Sequence, residues 1–269
     1  MSAPGEGYLQ SGTSWKDQPG AQRRDIEGQR YVALHHLNHT LSFAYLSGQV
    51  GLRSRLEAGF SLSYLWASER FDDAAEEPDI TFQGLSDLWV ALKYQVHPGA
   101  WPAAIEVAAR LPYLYDNRGK DPTGQLSRDL ALKGHLSRSF GRFYGSGMAG
   151  FKWREGAPAN QLVYGFELGG RPWSGPLARR LGLKLALDGM ASVGKDSPRA
   201  FPRDRFDGLT LDRGNHFFNF NRASLLSLQG NLAFDLARAW SVQAGFGRTI
   251  WGRSIEIYRE VFAQLGRTF

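Results

Sequence analysis

Thirteen ionisable side chains stand on the polar side of segments in which every second residue is apolar: Glu57, Asp87, Lys93, Glu106, Arg110, Lys133, His135, Lys152, Glu167, Lys184, Asp188, Glu256 and Glu260. Successive side chains of a strand point to opposite faces, so this spacing gathers all of them on one face. Acids and bases together on one face can do two things. They can pair across neighbouring strands and brace a wall, or they can line a passage and select a polar or charged solute. The mixture of signs favours bracing for most of them. Trp89, Tyr144, Tyr258 and Phe262 fall on the same face, where they make either an apolar path or a packing surface for an inward plug.

Other chemistry has thinner support. His135 with Ser137 or Ser139, and His39 with Asn38 and Ser42, have the residue types of a lipid-directed hydrolase, but no GxSxG elbow is present. On a strand His35 and His39 share a face and His36 does not, so the three make no tight metal site. There is no cysteine and no GxxxxGK[ST], which excludes thiolate sites and a nucleotide loop of that kind. No cofactor is implied. The polar stretch 195–216 carries Arg199, Arg203, Arg205 and Arg213. It is long enough to fold into a mouth as a constriction, and its arginines equally suit the phosphates of lipopolysaccharide.

The elements that must position these residues are strands. Leu56 to Trp66, Leu88 to Val96, Trp101 to Leu111, Leu130 to Leu136, Leu181 to Leu187, Leu226 to Leu236 and Trp240 to Phe246 alternate cleanly, with weaker segments near 5–16, 33–50, 143–154 and 160–172. Ser254 to Phe269 alternates to the last residue and reads as one strand. That makes about twelve strands. Short turns at 51–55, 97–100, 141–142, 172–180 and 237–238 alternate with longer polar stretches at 17–31, 70–79, 114–128, 155–160 and 195–216, with a tight connection at 252–254. The expected fold is all-β: one transmembrane antiparallel barrel over residues 1–269, with the short turns and both termini in the periplasm. A soluble sandwich or a lipocalin-like barrel is the alternative, but its strands have a mode of about 5–6 residues. Aromatic residues near strand ends (Trp66, Tyr94, Trp101, Phe140, Phe143, Trp153 and Trp240) suit an interfacial girdle.

Composition agrees. Mean hydropathy is −0.36, and no run approaches the ~20 apolar residues of a membrane helix. A barrel looks polar on such a scale because only alternate residues face lipid. The net charge of +6 is spread along the chain, which suits a hydrated lumen and loops meeting anionic lipid rather than nucleic acid. The opening Met1-Ser-Ala-Pro-Gly-Glu-Gly reads as a mature exported chain with an initiating Met before it. Phe269 at the terminus is similar to the signal by which outer-membrane proteins engage the barrel assembly machinery. Arg267 stands where that pattern has an aromatic or aliphatic residue.

Three stretches carry a family resemblance. Val50-Gly51-Leu52-Arg53-Ser54-Arg55-Leu56-Glu57-Ala58-Gly59-Phe60-Ser61-Leu62-Ser63-Tyr64 resembles a turn-and-strand motif "YGLTDRLxxGxSxPY", Gly84 to Tyr94 resembles "GLGDxxLGxKY", and Ala109-Arg110-Leu111-Pro112 resembles the strand end "xLPTG". The family is that of outer-membrane proteins linked with the meta-pathway of phenol degradation. The resemblance implies a bacterial outer-membrane channel for passive passage of small solutes, often aromatic or hydrophobic, and supplies no catalytic residues. A lipid hydrolase, and a non-conducting barrel that anchors a partner complex, stand beside it as alternatives.

Overall fold

The structure is a computed structural model that describes residues 3–18, 22–24, 30–32, 37–71, 80–111, 128–155, 159–173, 175, 180–194, 224–237, 239–253 and 258–269. One antiparallel sheet closes on itself. Its strands are β1 (Gly7–Gln18), β4 (Leu37–Arg53), β5 (Leu56–Phe71), β6 (Ile80–Leu85), β7 (Leu88–His97), β8 (Ala103–Leu111), β9 (Asp129–Phe140), β10 (Phe143–Arg154), β11 (Asn160–Gly170), β12 (Leu181–Val193), β13 (Ser224–Asp235), β14 (Trp240–Arg253) and β15 (Arg259–Thr268). β6 and β7 pair with successive parts of β5 and form one strand broken at Ser86-Asp87, so the wall has twelve strands. A two-stranded ribbon, β2 (Gln22–Arg24) with β3 (Arg30–Val32), lies in the first long connection.

β1 pairs with β15 on one side and β4 on the other, which leaves no open edge at the seam. Consecutive strands otherwise pair with their neighbours in sequence, as a meander of hairpins requires. Both termini and the strand ends joined over 54–55, 98–102, 141–142, 171–180 and 236–239 gather at one end; the strand ends joined by the other six connections, which include the longest, gather at the other.

Burial is inverted relative to a water-soluble protein. Leu92, Val107, Leu132, Leu162, Phe166, Leu185, Leu232, Phe246 and Val261 are exposed on the outer face, while Glu57, Asp87, Arg110, Asp129, Asn231 and Glu260 are buried within. That arrangement is costly in water and required in lipid. Seven of the eight tryptophans are exposed on the outside. Trp15, Trp66, Trp153 and Trp251 lie toward the long-loop end, and Trp101, Trp173 and Trp240 toward the short-turn end, with Tyr94, Phe140 and Phe143. Phe143 and Trp153 are ten residues apart on β10, which at about 3.3 Å per residue and a tilt of about 40° separates the two belts by about 25 Å, the height of an outer-membrane apolar band.

Four expectations are corrected. The last strand does not begin at Ser254: β14 runs on through Arg253, so the tight connection at 252–254 also shifts, and β15 starts at Arg259. The ladder to β13 slips between Leu226 and Ser227, giving β14 one extra residue, an irregularity that period-two reading passes over. Trp101 sits in the turn before β8 rather than in the strand, though still outward. The expected strand Leu88 to Val96 forms as β7, but residues 80–85, to which no strand was given, form β6, set off from β7 by a break at Ser86-Asp87, where the Asp87 carboxylate turns inward to meet Arg110.

Candidate functional site

Alternation places Glu57, Lys93, Glu106 and Lys133 in one row. Glu57 lies opposite Lys93, Lys93 opposite Glu106, and Glu106 opposite Lys133 across four consecutive strands. Opposite charges directly across strands attract. Glu106 is the centre: Lys133 Nζ donates to its Oε1 at 2.8 Å, Lys93 Nζ lies 3.7 Å from Oε2, and His135 Nε2 lies 3.0 Å from Oε2.

A second cluster lies toward the long-loop end. Arg110, only 3% exposed, bridges Asp87 at 3.3 Å and contacts Asp129; Lys152 and Arg154 approach the same Asp129 at 3.7 and 3.6 Å. Trp89, the one tryptophan on the inner wall, lies 5.5 Å from the Arg110 guanidinium. A third group joins Glu167 to the Tyr144 hydroxyl, which donates at 2.6 Å, and to Lys184 at 3.2 Å, with Asp188 on the same cavity wall. Lys16 pairs with Glu260 at 3.8 Å and lies 4.5 and 5.3 Å from the Tyr258 and Phe43 rings.

Besides the rim pair Arg171–Asp235, the clusters named above bring together seven acids (Glu57, Asp87, Glu106, Asp129, Glu167, Asp188 and Glu260) and seven bases (Lys16, Lys93, Arg110, Lys133, Lys152, Arg154 and Lys184). Their formal charges cancel. Of the thirteen ionisable residues predicted to share a face, twelve lie on this wall; Glu256 falls outside the described residues. So do Arg199, Arg203, Arg205 and Arg213 with the rest of the 195–216 stretch, and His35 and His36; of His39 only the backbone pairings with Gln18 and Glu69 are described.

The wall also has a neutral side that charge-directed reading missed. Gln264 on β15 accepts from the Tyr45 hydroxyl at 2.6 Å and from Gln10 Nε2, and its own Nε2 donates to Gln243 Oε1 at 2.6 Å. The Tyr8 hydroxyl donates to Gln10 at 3.0 Å, and Gln229 and Asn231 continue the strip on β13. The signal was in the alternation, since Gln229, Asn231, Gln243 and Gln264 occupy its polar positions. Aromatic rings on this wall lie flat. A Cβ on Gly169 would stand 2.5 Å from the Tyr144 ring, and one on Gly12 the same distance from Tyr45. Glycine there lets the ring rest on the strand backbone instead of projecting into the lumen.

Two cavities, about 610 and 760 Å³, occupy the interior and share Gln49, Glu167, Lys184 and Gln229 on their walls. One reaches Gln95 and Ser137 near the short turns; the other reaches Lys16 and Glu260 toward the long loops.

A closed barrel of this topology has known counterparts. An outer-membrane channel from Pseudomonas putida F1 aligns with 100% of this chain and 97% of its own, with a TM-score of 0.69 at 14% identity. The fold is that of a bacterial outer-membrane β-barrel. The NanC porin aligns with 97% of this chain and 100% of its own (TM-score 0.57, 8% identity), and the β domain of the Bordetella autotransporter Brka with 98% and 100% (TM-score 0.55, 13% identity). No protein-family profile and no curated protein sequence matches the chain. At such identities the likeness is one of fold, and it sets this barrel in the outer membrane with the two tryptophan belts at its interfaces.

Proposed function

We propose that this barrel is a passive channel for small solutes across the outer membrane. The observation that supports it is the pair of polar cavities with a shared wall, which together extend from residues beside the short turns to residues beside the long loops. Transport of this kind follows the solute gradient, and the inner wall supplies hydrogen-bonding groups in place of bulk water. The aromatic or hydrophobic solutes implied by the family resemblance find one feature in their favour: the Phe43 and Tyr258 rings beside Lys16, on which a planar uncharged solute would stack.

Single-channel recording of the refolded protein in a planar bilayer tests the reading. Discrete open steps are expected. A folded barrel that stays silent across the voltage range overturns it and brings the anchoring and lipid-hydrolase alternatives forward.

A further inference from the structure

The two sides of the lumen differ in kind, and the difference bears on which solutes cross. We propose that the amide strip of β1, β14 and β15 makes the lumen selective for small uncharged solutes bearing several hydroxyl or amide groups. The inference rests on the channel reading and narrows it.

The charged side is neutralised where it stands. Glu106 is surrounded by Lys93, Lys133 and His135, and Glu167 by Lys184 and Tyr144. With the formal charges of the described clusters cancelling, an entering ion finds no net countercharge there to offset the water it sheds. Either sign of ion meets the same deficit, so the wall favours neither cations nor anions.

The neutral side offers the opposite bargain. A glutamine side chain has two donors and an acceptor, and a hydroxyl both donates and accepts. Gln264 joins Gln10, Tyr45 and Gln243. A polyhydroxylated solute can take the place of any one of these partners with the number of hydrogen bonds unchanged, and such exchanges are close to neutral in free energy. An ion gains less from the same groups. The rings beside the strip rest on glycine, Tyr45 on Gly12 among them, so the amide heads as well as the rings reach the open space. That space, about 760 Å³, is bordered by the strip and by two ion pairs, Lys16–Glu260 and Lys184–Glu167, and falls in the range of small-molecule sites, about 300–1,000 Å³.

The test is solute-driven swelling of proteoliposomes, paired with the reversal potential under a KCl gradient. Arabinose and N-acetylglucosamine are expected to enter several-fold faster than gluconate, lysine or benzoate, with a reversal potential near zero. Faster entry of gluconate, lysine or benzoate, or a strong preference for K⁺ or Cl⁻, overturns the inference. Equal rates for all solutes also overturn it while leaving the channel intact. Absence of both swelling and conductance overturns the channel reading and the inference together. Gln264→Leu should slow arabinose several-fold with KCl conductance changed less than two-fold, and Gln243→Leu gives the same readout if Gln264→Leu does not fold. Parallel loss of both fluxes in a folded variant would show that the strip only braces the wall.

Discussion

Arg110 shows what a single inner-wall residue does. Its guanidinium lies between Asp87 and Asp129, nearly out of contact with water. Two aspartates that share an arginine become a repelling pair when it is removed, and breaking a buried ion pair by deleting one partner costs about 3–5 kcal/mol. Arg110→Leu is therefore expected to lower stability by that order, read as the urea midpoint of the protein in vesicles. Adding Asp87→Asn to the same chain should recover part of the loss, and an unshifted midpoint in Arg110→Leu would dismiss the cluster as a structural unit. Glu106→Gln tests the other cluster. It removes one negative charge amid Lys93, Lys133 and His135, so the reversal potential should move toward anion preference; an unmoved value removes Glu106 from the pathway. Arg110 and Glu106 were legible because each interrupts a clean apolar alternation. Asp129 and Arg154 were not, although both meet in the Arg110 cluster, because they border the polar stretches 114–128 and 155–160, where alternation loses contrast.

Strands are where the sequence pattern was most informative and where its errors arose. Side-chain alternation has a period of two, so it reports facing and is blind to a single inserted or unpaired residue. The slip at Leu226/Ser227 and the break at Ser86-Asp87 are such places, and the start of the last strand was misplaced near the first of them. The closing seam was legible from its terminal phenylalanine. Gly7 N donates to the Phe269 carbonyl at 2.8 Å and Phe269 N donates to the Gly7 carbonyl at 3.0 Å. The Phe269 ring covers Gly7 so closely that a Cβ there would lie 2.5 Å from it. Deleting Phe269 removes both hydrogen bonds and the ring from the β1–β15 pairing. Assembly in cells is expected to slow several-fold, measured as the folded, heat-modifiable band in gels of outer membranes. Gly7→Val should give a milder defect of the same kind by displacing the ring, and normal assembly of both variants would mean that closure does not depend on this contact.

At the scale of the whole molecule, the outer surface rather than the lumen sets the membrane in which the barrel is at home. On β10 the belts lie ten residues apart, at Phe143 and Trp153, and on β14 eleven apart, at Trp240 and Trp251, where the bulge absorbs the additional residue. Both spans correspond to an apolar height of about 25 Å. At the short-turn belt, Arg138 lies 4.6 Å from the Trp101 ring and Arg267 lies 5.3 Å from Trp240. This gives Arg267 a role at the position where the assembly pattern has an apolar residue: its charge stays at headgroup level while its stem covers the ring. Arginine on a lipid face costs about 2–4 kcal/mol at the midplane and about 0–1 near the interface, so a thicker bilayer would draw both guanidinium groups into hydrocarbon. Thickness mismatch itself costs fractions of a kcal/mol per Å. Refolding yield should therefore fall stepwise from dilauroyl to dioleoyl phosphatidylcholine vesicles, and Arg138→Leu with Arg267→Leu should flatten that dependence while leaving the dilauroyl yield within two-fold. A yield that rises with chain length would place the belts, and with them the membrane boundaries, at the wrong residues.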